Sequence, residues 1–184
     1  MRALSALVLA LALVAPATAR AERFAVGVAL GTTHAETDAD AGLNASSTSG
    51  LWLRYRLVPR LAAEISYGRI ATDGDATIIR SLTVAARFAP TAWRGGTLRP
   101  IVLVGLGPDT TDDARSFFRA EVGAGLELDL GGQFVIGADL RLGERELAAT
   151  EAQPGIDDRP NARIAADLTE GGYRSTQAYL GVRF

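Results

Sequence analysis

Apolar and polar residues alternate with a period of two in eight separate stretches of this chain. Successive side chains of a strand point to opposite faces, so each stretch predicts a strand with one apolar row and one small or polar row. The first runs from Phe24 to Thr33, with Phe24, Val26, Val28 and Leu30 against Ala25, Gly27, Ala29 and Gly31. Ser47 to Leu57 sets Leu51, Leu53, Tyr55 and Leu57 against Trp52, Arg54 and Arg56. Leu61 to Ile70, Ala76 to Phe88, Leu98 to Gly107, Phe117 to Leu130 and Phe134 to Leu142 continue the pattern, and Tyr173 to Phe184 ends it. The Leu98 stretch is the least clean, because its second row contains Ile101 and Leu103.

The connections have a rhythm of their own. Those after strands two, four and six are short and carry Pro or Gly: Val58-Pro59-Arg60, Pro90 to Gly96, and Gly131-Gly132, which reads as a two-residue hairpin turn. Those after strands one, three, five and seven are acidic and mostly long: His34 to Ser46, Thr72 to Asp75, Pro108 to Arg115, and Glu144 to Gly172. The Thr72 connection is the short exception. An even number of hairpin-linked strands, with long connections at one end and tight turns at the other, predicts an all-β, antiparallel, up-and-down barrel of about eight strands.

A soluble lipocalin-type barrel has the same period with the faces exchanged, so residue types must decide which row faces inward. The polar row is rich in glycine, at Gly27, Gly31, Gly68, Gly105, Gly123, Gly125, Gly137 and Gly181. An eight-stranded barrel is only wide enough to be filled by side chains, and small residues make room there. The large members of this row are charges of both signs: Arg54, Arg56, Glu64, Arg87, Arg119, Glu121, Glu127, Asp129, Asp139, Arg141 and Arg183. Buried charges must be paired, and this set allows it. The polar row is therefore assigned to the lumen. On the apolar row, Phe24, Tyr55, Phe88, Phe134 and Phe184 sit at strand ends nearest a short turn or a terminus, and Tyr67 and Phe118 sit near the long connections. Two girdles of aromatics bounding an apolar band are expected at the two interfaces of a bilayer.

The N-terminus predicts export. Met1-Arg2 is a short positive segment, Leu4 to Val14 is apolar except for Ser5, and small-x-small sites follow at Ala17-Thr18-Ala19 and Ala19-Arg20-Ala21. Residues 1–21 read as a cleaved Sec-type signal peptide, leaving 22–184 as a single barrel domain. Composition narrows the chemistry further. The chain of 184 residues carries a net charge of −2, no cysteine and one histidine, His34. Disulfides, thiolate or multi-histidine metal sites and cysteine nucleophiles are excluded, and neither a metal nor a cofactor is expected. All 19 basic residues are arginine, with no basic block of the kind that binds nucleic acid.

The last strand, together with Phe134-Val-Ile-Gly-Ala-Asp-Leu-Arg-Leu142 and Arg99-Pro-Ile-Val-Leu-Val-Gly-Leu-Gly107, resembles the OmpA/OmpX-type family of small outer-membrane β-barrels. The resemblance extends over nearly the whole of Phe24 to Phe184. It implies an outer-membrane location with both termini in the periplasm. It implies that Phe184, Val182 and Leu180 form the C-terminal signal read by the barrel-assembly machinery. It also implies a monomer whose partners are outer-membrane lipid, lipopolysaccharide and an extracellular ligand at the loops.

The motifs are specific for the fold and not for an activity. Family members include structural proteins, adhesins, complement-resistance factors and a few lipid A-modifying enzymes. His34 is the sole candidate general base, but Ala35-Glu36 follows it, so the deacylase's His-x-Ser pattern is absent, and no Asp-Ser pair matches the acyltransferase. A solvated loop histidine is the expectation. The acidic connections, including Asp109, Asp112 and Asp113, match no calcium loop, although divalent cations could bridge them to lipopolysaccharide phosphates. The reading is a non-enzymatic barrel with a structural or surface-interaction role exerted by its loops. A lipid A-modifying enzyme and a narrow ion-conducting channel are the alternatives.

Overall fold

The computed structural model describes residues 23–35, 45–71, 78–90, 98–112, 116–130, 133–147 and 171–184. Eight strands cover them: β1 (Phe24–Ala35), β2 (Ala45–Val58), β3 (Leu61–Ala71), β4 (Ile78–Phe88), β5 (Leu98–Thr111), β6 (Ser116–Asp129), β7 (Phe134–Leu147) and β8 (Gly171–Arg183). Each strand pairs antiparallel with the next, and β1 pairs with β8, so the barrel is closed. Closure leaves no unpaired strand edge. Two backbone bonds, Phe24 N to the Phe184 carbonyl (3.2 Å) and Phe184 N to the Phe24 carbonyl (2.9 Å), tie the two chain ends together at one end of the barrel. The hairpins after β2, β4 and β6 lie at that end, and those after β1, β3, β5 and β7 lie at the other.

Alternation in the sequence becomes alternation of burial. In β4, Ile79, Ser81, Thr83, Ala85 and Arg87 are buried and the residues between them are exposed. The exposed row is the apolar one: Val84, Val104, Val122 and Leu140 are each at least half exposed, whereas Glu64, Arg87 and Asp139 are nearly inaccessible. A continuous apolar exterior around a charged interior is the reverse of a soluble barrel and calls for an apolar solvent outside. The lipocalin-like alternative is thereby excluded. Among the described residues no helix is long and apolar enough to cross a membrane.

Strand ends depart from the sequence expectation. β5 runs through Pro108 and Asp109 to Thr111, and β7 runs through Glu144 and Arg145 to Leu147, where loops were expected. β1 includes His34 and Ala35, and β4 is described from Ile78, the expected start at Ala76 lying outside the described residues. The hairpin between β6 and β7 corrects a second expectation. Leu130 N donates to the Phe134 carbonyl (3.1 Å), so residues 131–133, not Gly131-Gly132 alone, connect the strands. The physical reason is parity. A two-residue connection would slide the pairing by one residue and set Asp129 opposite Phe134, a lumen residue against an exterior one. With three, Asp129 faces Val135 and Glu127 faces Gly137, lumen against lumen. The signal-peptide segment and most of the acidic connections lie outside the described residues.

Inside, aromatic rings lie over lumen glycines. Trp52 fills the space a Cβ would need at Gly27 and at Gly181, and the Tyr179 and Tyr173 rings do the same at Gly137 and Gly143. Gly137→Ala would press a methyl group into a Tyr179 ring that hydrogen bonds hold at its far end. It is expected to destabilise by about 1–3 kcal/mol, the usual cost of overpacking. A Cβ at Gly68, on the same lumen row, would meet nothing closer than 3.7 Å. Gly68→Ala should therefore leave the urea midpoint within error of wild type in the same lipid, and equal shifts for both variants would remove the crowding explanation.

Candidate functional site

The lumen holds one connected polar network built from alternate positions of all strands but β1. Arg183 on β8 pairs with Asp129 and, at 2.6 Å, with Glu127, both on β6. Glu127 also pairs with Arg54 on β2, whose Nη2 lies 2.9 Å from Glu64 on β3. Arg87 on β4 lies 3.2 Å from Glu64 and 3.3 Å from Asp139 on β7. Arg141, two residues further along β7, donates from Nε to Asp139 and from Nη1 to Glu121, each at 2.8 Å. Arg119 lies 3.9 Å from Glu121 and 3.5 Å from Asp109, and Asp109 accepts from Arg145 Nε at 2.7 Å. The chain of alternating sign thus runs from the end carrying the termini to the far end of the lumen.

Six arginines and six carboxylates make this chain, so its formal charge is zero. The balance matters because an uncompensated charge in such a site would cost several kcal/mol. Neutral hydroxyl groups complete it. Tyr173 donates to Glu121 at 2.8 Å, Arg87 donates to the Tyr179 hydroxyl at 2.8 Å, and Arg119 donates to Ser81 and Thr83. The guanidinium of Arg54 also stacks 4.6 Å from the Trp52 ring, and that of Arg145 stacks 4.5 Å from Tyr173. Arginine suits this setting, since its planar fork can serve two carboxylates and a ring at once.

Of the charges assigned to the lumen from sequence, Arg54, Glu64, Arg87, Arg119, Glu121, Glu127, Asp139, Arg141 and Arg183 are buried there. Asp129 and Arg56 are partly exposed at the end carrying the termini, where Asp129 also pairs with Arg99 at 2.9 Å. Asp109 and Arg145 were not expected inside. Asp109, read as part of an acidic loop, is fully buried, and Arg145, read as part of a polar connection, is 3% exposed. Extending the lumen parity of β5 and β7 by one more residue pair would have found them. The aromatics Phe24, Tyr67, Phe88, Phe118, Phe134 and Phe184 are all exposed on the exterior row, and Tyr55 is half-buried beside Phe24, ring centroids 4.8 Å apart. Val182 and Leu180 share the outward row of β8 with Phe184.

Two small cavities flank the middle of the network. One, about 40 Å³, lies in the half away from the termini and is lined by Thr33, Thr48, Ser66, Ser175 and Gln177. The other, about 60 Å³, opens at the end carrying the termini beside Arg56, Arg60 and Arg99. Arg54 and Arg87 line both and separate them. Each has room for a few water molecules and neither for an organic ligand of ordinary size. Among the described residues no cluster of metal-ligating side chains occurs.

His34 is not in this network. It is half-buried on the outward row of β1, opposite Ala45 on β2 and Arg174 on β8. Its Nδ1 is buried and makes no hydrogen bond among the described residues. A general base needs an orienting acceptor on its second nitrogen, and the residue across the strand is a cation.

An apolar-walled closed barrel filled by paired charges is a transmembrane β-barrel. The outer membrane protein beta-barrel domain family matches residues 3–183, and the chain belongs to that family. It is an outer-membrane barrel of the small eight-stranded type. Similar solved structures include Neisserial surface protein A, 12% identical over 88% of this chain and 97% of that one, TM-score 0.67. The N-terminal β-barrel domain of Pseudomonas aeruginosa OprF is 17% identical over 87% and 97%, TM-score 0.51. The outer membrane enzyme PagL is 14% identical over 87% and 99%, TM-score 0.50. At these identities the likeness establishes the fold alone. Among curated proteins, none matches the chain by sequence.

Proposed function

We propose that this chain is a closed, non-conducting, non-enzymatic outer-membrane barrel that acts through the connections after β1 and β7, with both termini in the periplasm and a Sec-type signal peptide directing export. The continuous ion-pair chain from Asp129 to Arg145 carries this reading. It occupies the lumen, costs the protein a dozen charged side chains, and leaves water-sized cavities on either side of Arg54 and Arg87. A lumen filled in this way serves as a rigid post, and rigid scaffolds are where variable loops carry recognition. The position of His34 opposite Arg174, with no hydrogen bond to its Nδ1 among the described residues, favours this reading over a lipid A-modifying enzyme.

The test joins two measurements on the full chain. In planar bilayers the purified barrel is expected to give no unitary conductance, and steady channel openings would restore the narrow-channel reading. In cells, deleting residues 150–168 should abolish surface adhesion or ligand binding while the folded, heat-modifiable barrel persists. A change in lipid A mass on expression, lost in His34→Ala, would overturn the non-enzymatic part.

A further inference from the structure

We infer that Arg69 and Arg80 form a binding site on the outside of the barrel for the phosphate monoester of a glycolipid headgroup in the surrounding leaflet. The two residues are directly opposed on β3 and β4. Both stand on the outward row: Arg69 is exposed, and the Arg80 side chain is 55% exposed. One rung toward the membrane middle, the opposed pair is Tyr67 and Leu82, and both of these are exposed too. Tyr67 is an aromatic of the kind that marks the boundary between hydrocarbon and headgroups. The arginines therefore stand at headgroup level, beside lipid and not in the loops.

Side chains directly opposite one another on an antiparallel pair are about 5 Å apart at Cβ, and like charges there are destabilising. Something must offset the repulsion. Arg80 has a carboxylate, Asp112, at 2.9 Å, itself 38% exposed. Among the described residues Arg69 has no acidic partner, and two cations there face one carboxylate. A phosphate monoester fits the remainder. It carries up to two negative charges and three acceptor oxygens, and it can accept a fork of N–H donors from each guanidinium. The same rung continues to Ser49 on β2 and Thr110 on β5, which puts hydroxyl side chains on either side of the arginines. Asp73 and Asp75 of the β3–β4 connection lie outside the described residues. They offer a different route to lipid, through a divalent cation, which the experiment separates.

The full-length barrel is folded in bilayers containing bis-phosphorylated lipid A or its dephosphorylated form, with EDTA present, and retained lipid is counted by native mass spectrometry. Wild type should retain the phosphorylated lipid and not the dephosphorylated one. Retention should fall about thirtyfold in R69Q/R80Q, the loss of two cationic contacts at a charged surface, while R23Q/R60Q at the opposite end and D73N/D75N leave it unchanged. Equal retention of both lipids by wild type would overturn the site without reference to any variant. So would loss in D73N/D75N, or retention by wild type only when EDTA is left out, since either makes the contact a cation bridge from the loop. The heat-modifiable gel shift confirms that each variant is folded. Because the loops are unaltered, failure here leaves the loop-borne function standing, and the reverse holds as well.

Discussion

Arg141→Ala is expected to destabilise the barrel by about 3–5 kcal/mol, read as a lower urea midpoint in a fixed lipid. Arg141 joins the two halves of the lumen chain. Removing it withdraws donors from Asp139 and Glu121 at once, and a weaker contact of 3.8 Å from Glu64. Asp139 would keep only Arg87, at 3.3 Å, and Glu121 would keep the Tyr173 hydroxyl and a distant Arg119. Both carboxylates are buried, so the loss is dominated by stranded charge and not by the worth of the bonds themselves. A companion variant isolates that term. Arg141→Met combined with Glu121→Gln removes one charge of each sign, leaves Asp139 on Arg87 and Arg119 on Asp109, keeps the chain neutral, and should recover much of the stability. Arg60→Ala, on an exposed turn, should stay within about 0.5 kcal/mol of wild type. If Arg141→Ala and Arg60→Ala unfold together, the lumen is wet, its charges are solvated, and the narrow-channel reading gains over the sealed one.

Parity was legible in the sequence because the exterior demands it. Lipid accepts only apolar side chains, so Val84, Val104, Val122 and Leu140 each mark one face and the charges between them mark the other. The pattern fades where strands rise out of the apolar zone. At Glu144-Arg145-Glu146 both rows are charged, and at Pro108-Asp109 a turn-like dipeptide sits inside a strand. Hydrophobic periodicity had nothing to detect at either place, and Asp109 and Arg145 were missed together with the pair they form. Pairing across the lumen was not legible either. Arg54 meets Glu127 from a strand four places around the barrel, a contact fixed by strand tilt and stagger and not by any spacing in the chain. The Arg69–Arg80 juxtaposition needed the β3–β4 register, since two arginines eleven residues apart flanking an acidic turn read as ordinary hairpin charges.

Leu140→Arg is expected to cost about 2–4 kcal/mol, the penalty for arginine on the lipid face at the bilayer midplane. Leu140 is half exposed on the outward row of β7, three outward positions from Phe134 and three from Glu146, at the centre of the band. Its neighbours on the same rung, Ala124 on β6 and Thr176 on β8, offer no charge to pair with. A guanidinium there must snorkel along the wall or draw water inward, and both courses are unfavourable. The depth dependence supplies the control. Glu146→Arg, at the polar end of the same row, should cost no more than about 1 kcal/mol. The two variants are refolded into one lipid and unfolded in urea. A steep fall for position 140 and a shallow one for 146 places the hydrocarbon boundary between them on β7. Equal costs would mean that the apolar band is not centred on Leu140, and the level of Tyr67 and Phe118 as interface markers would have to move with it.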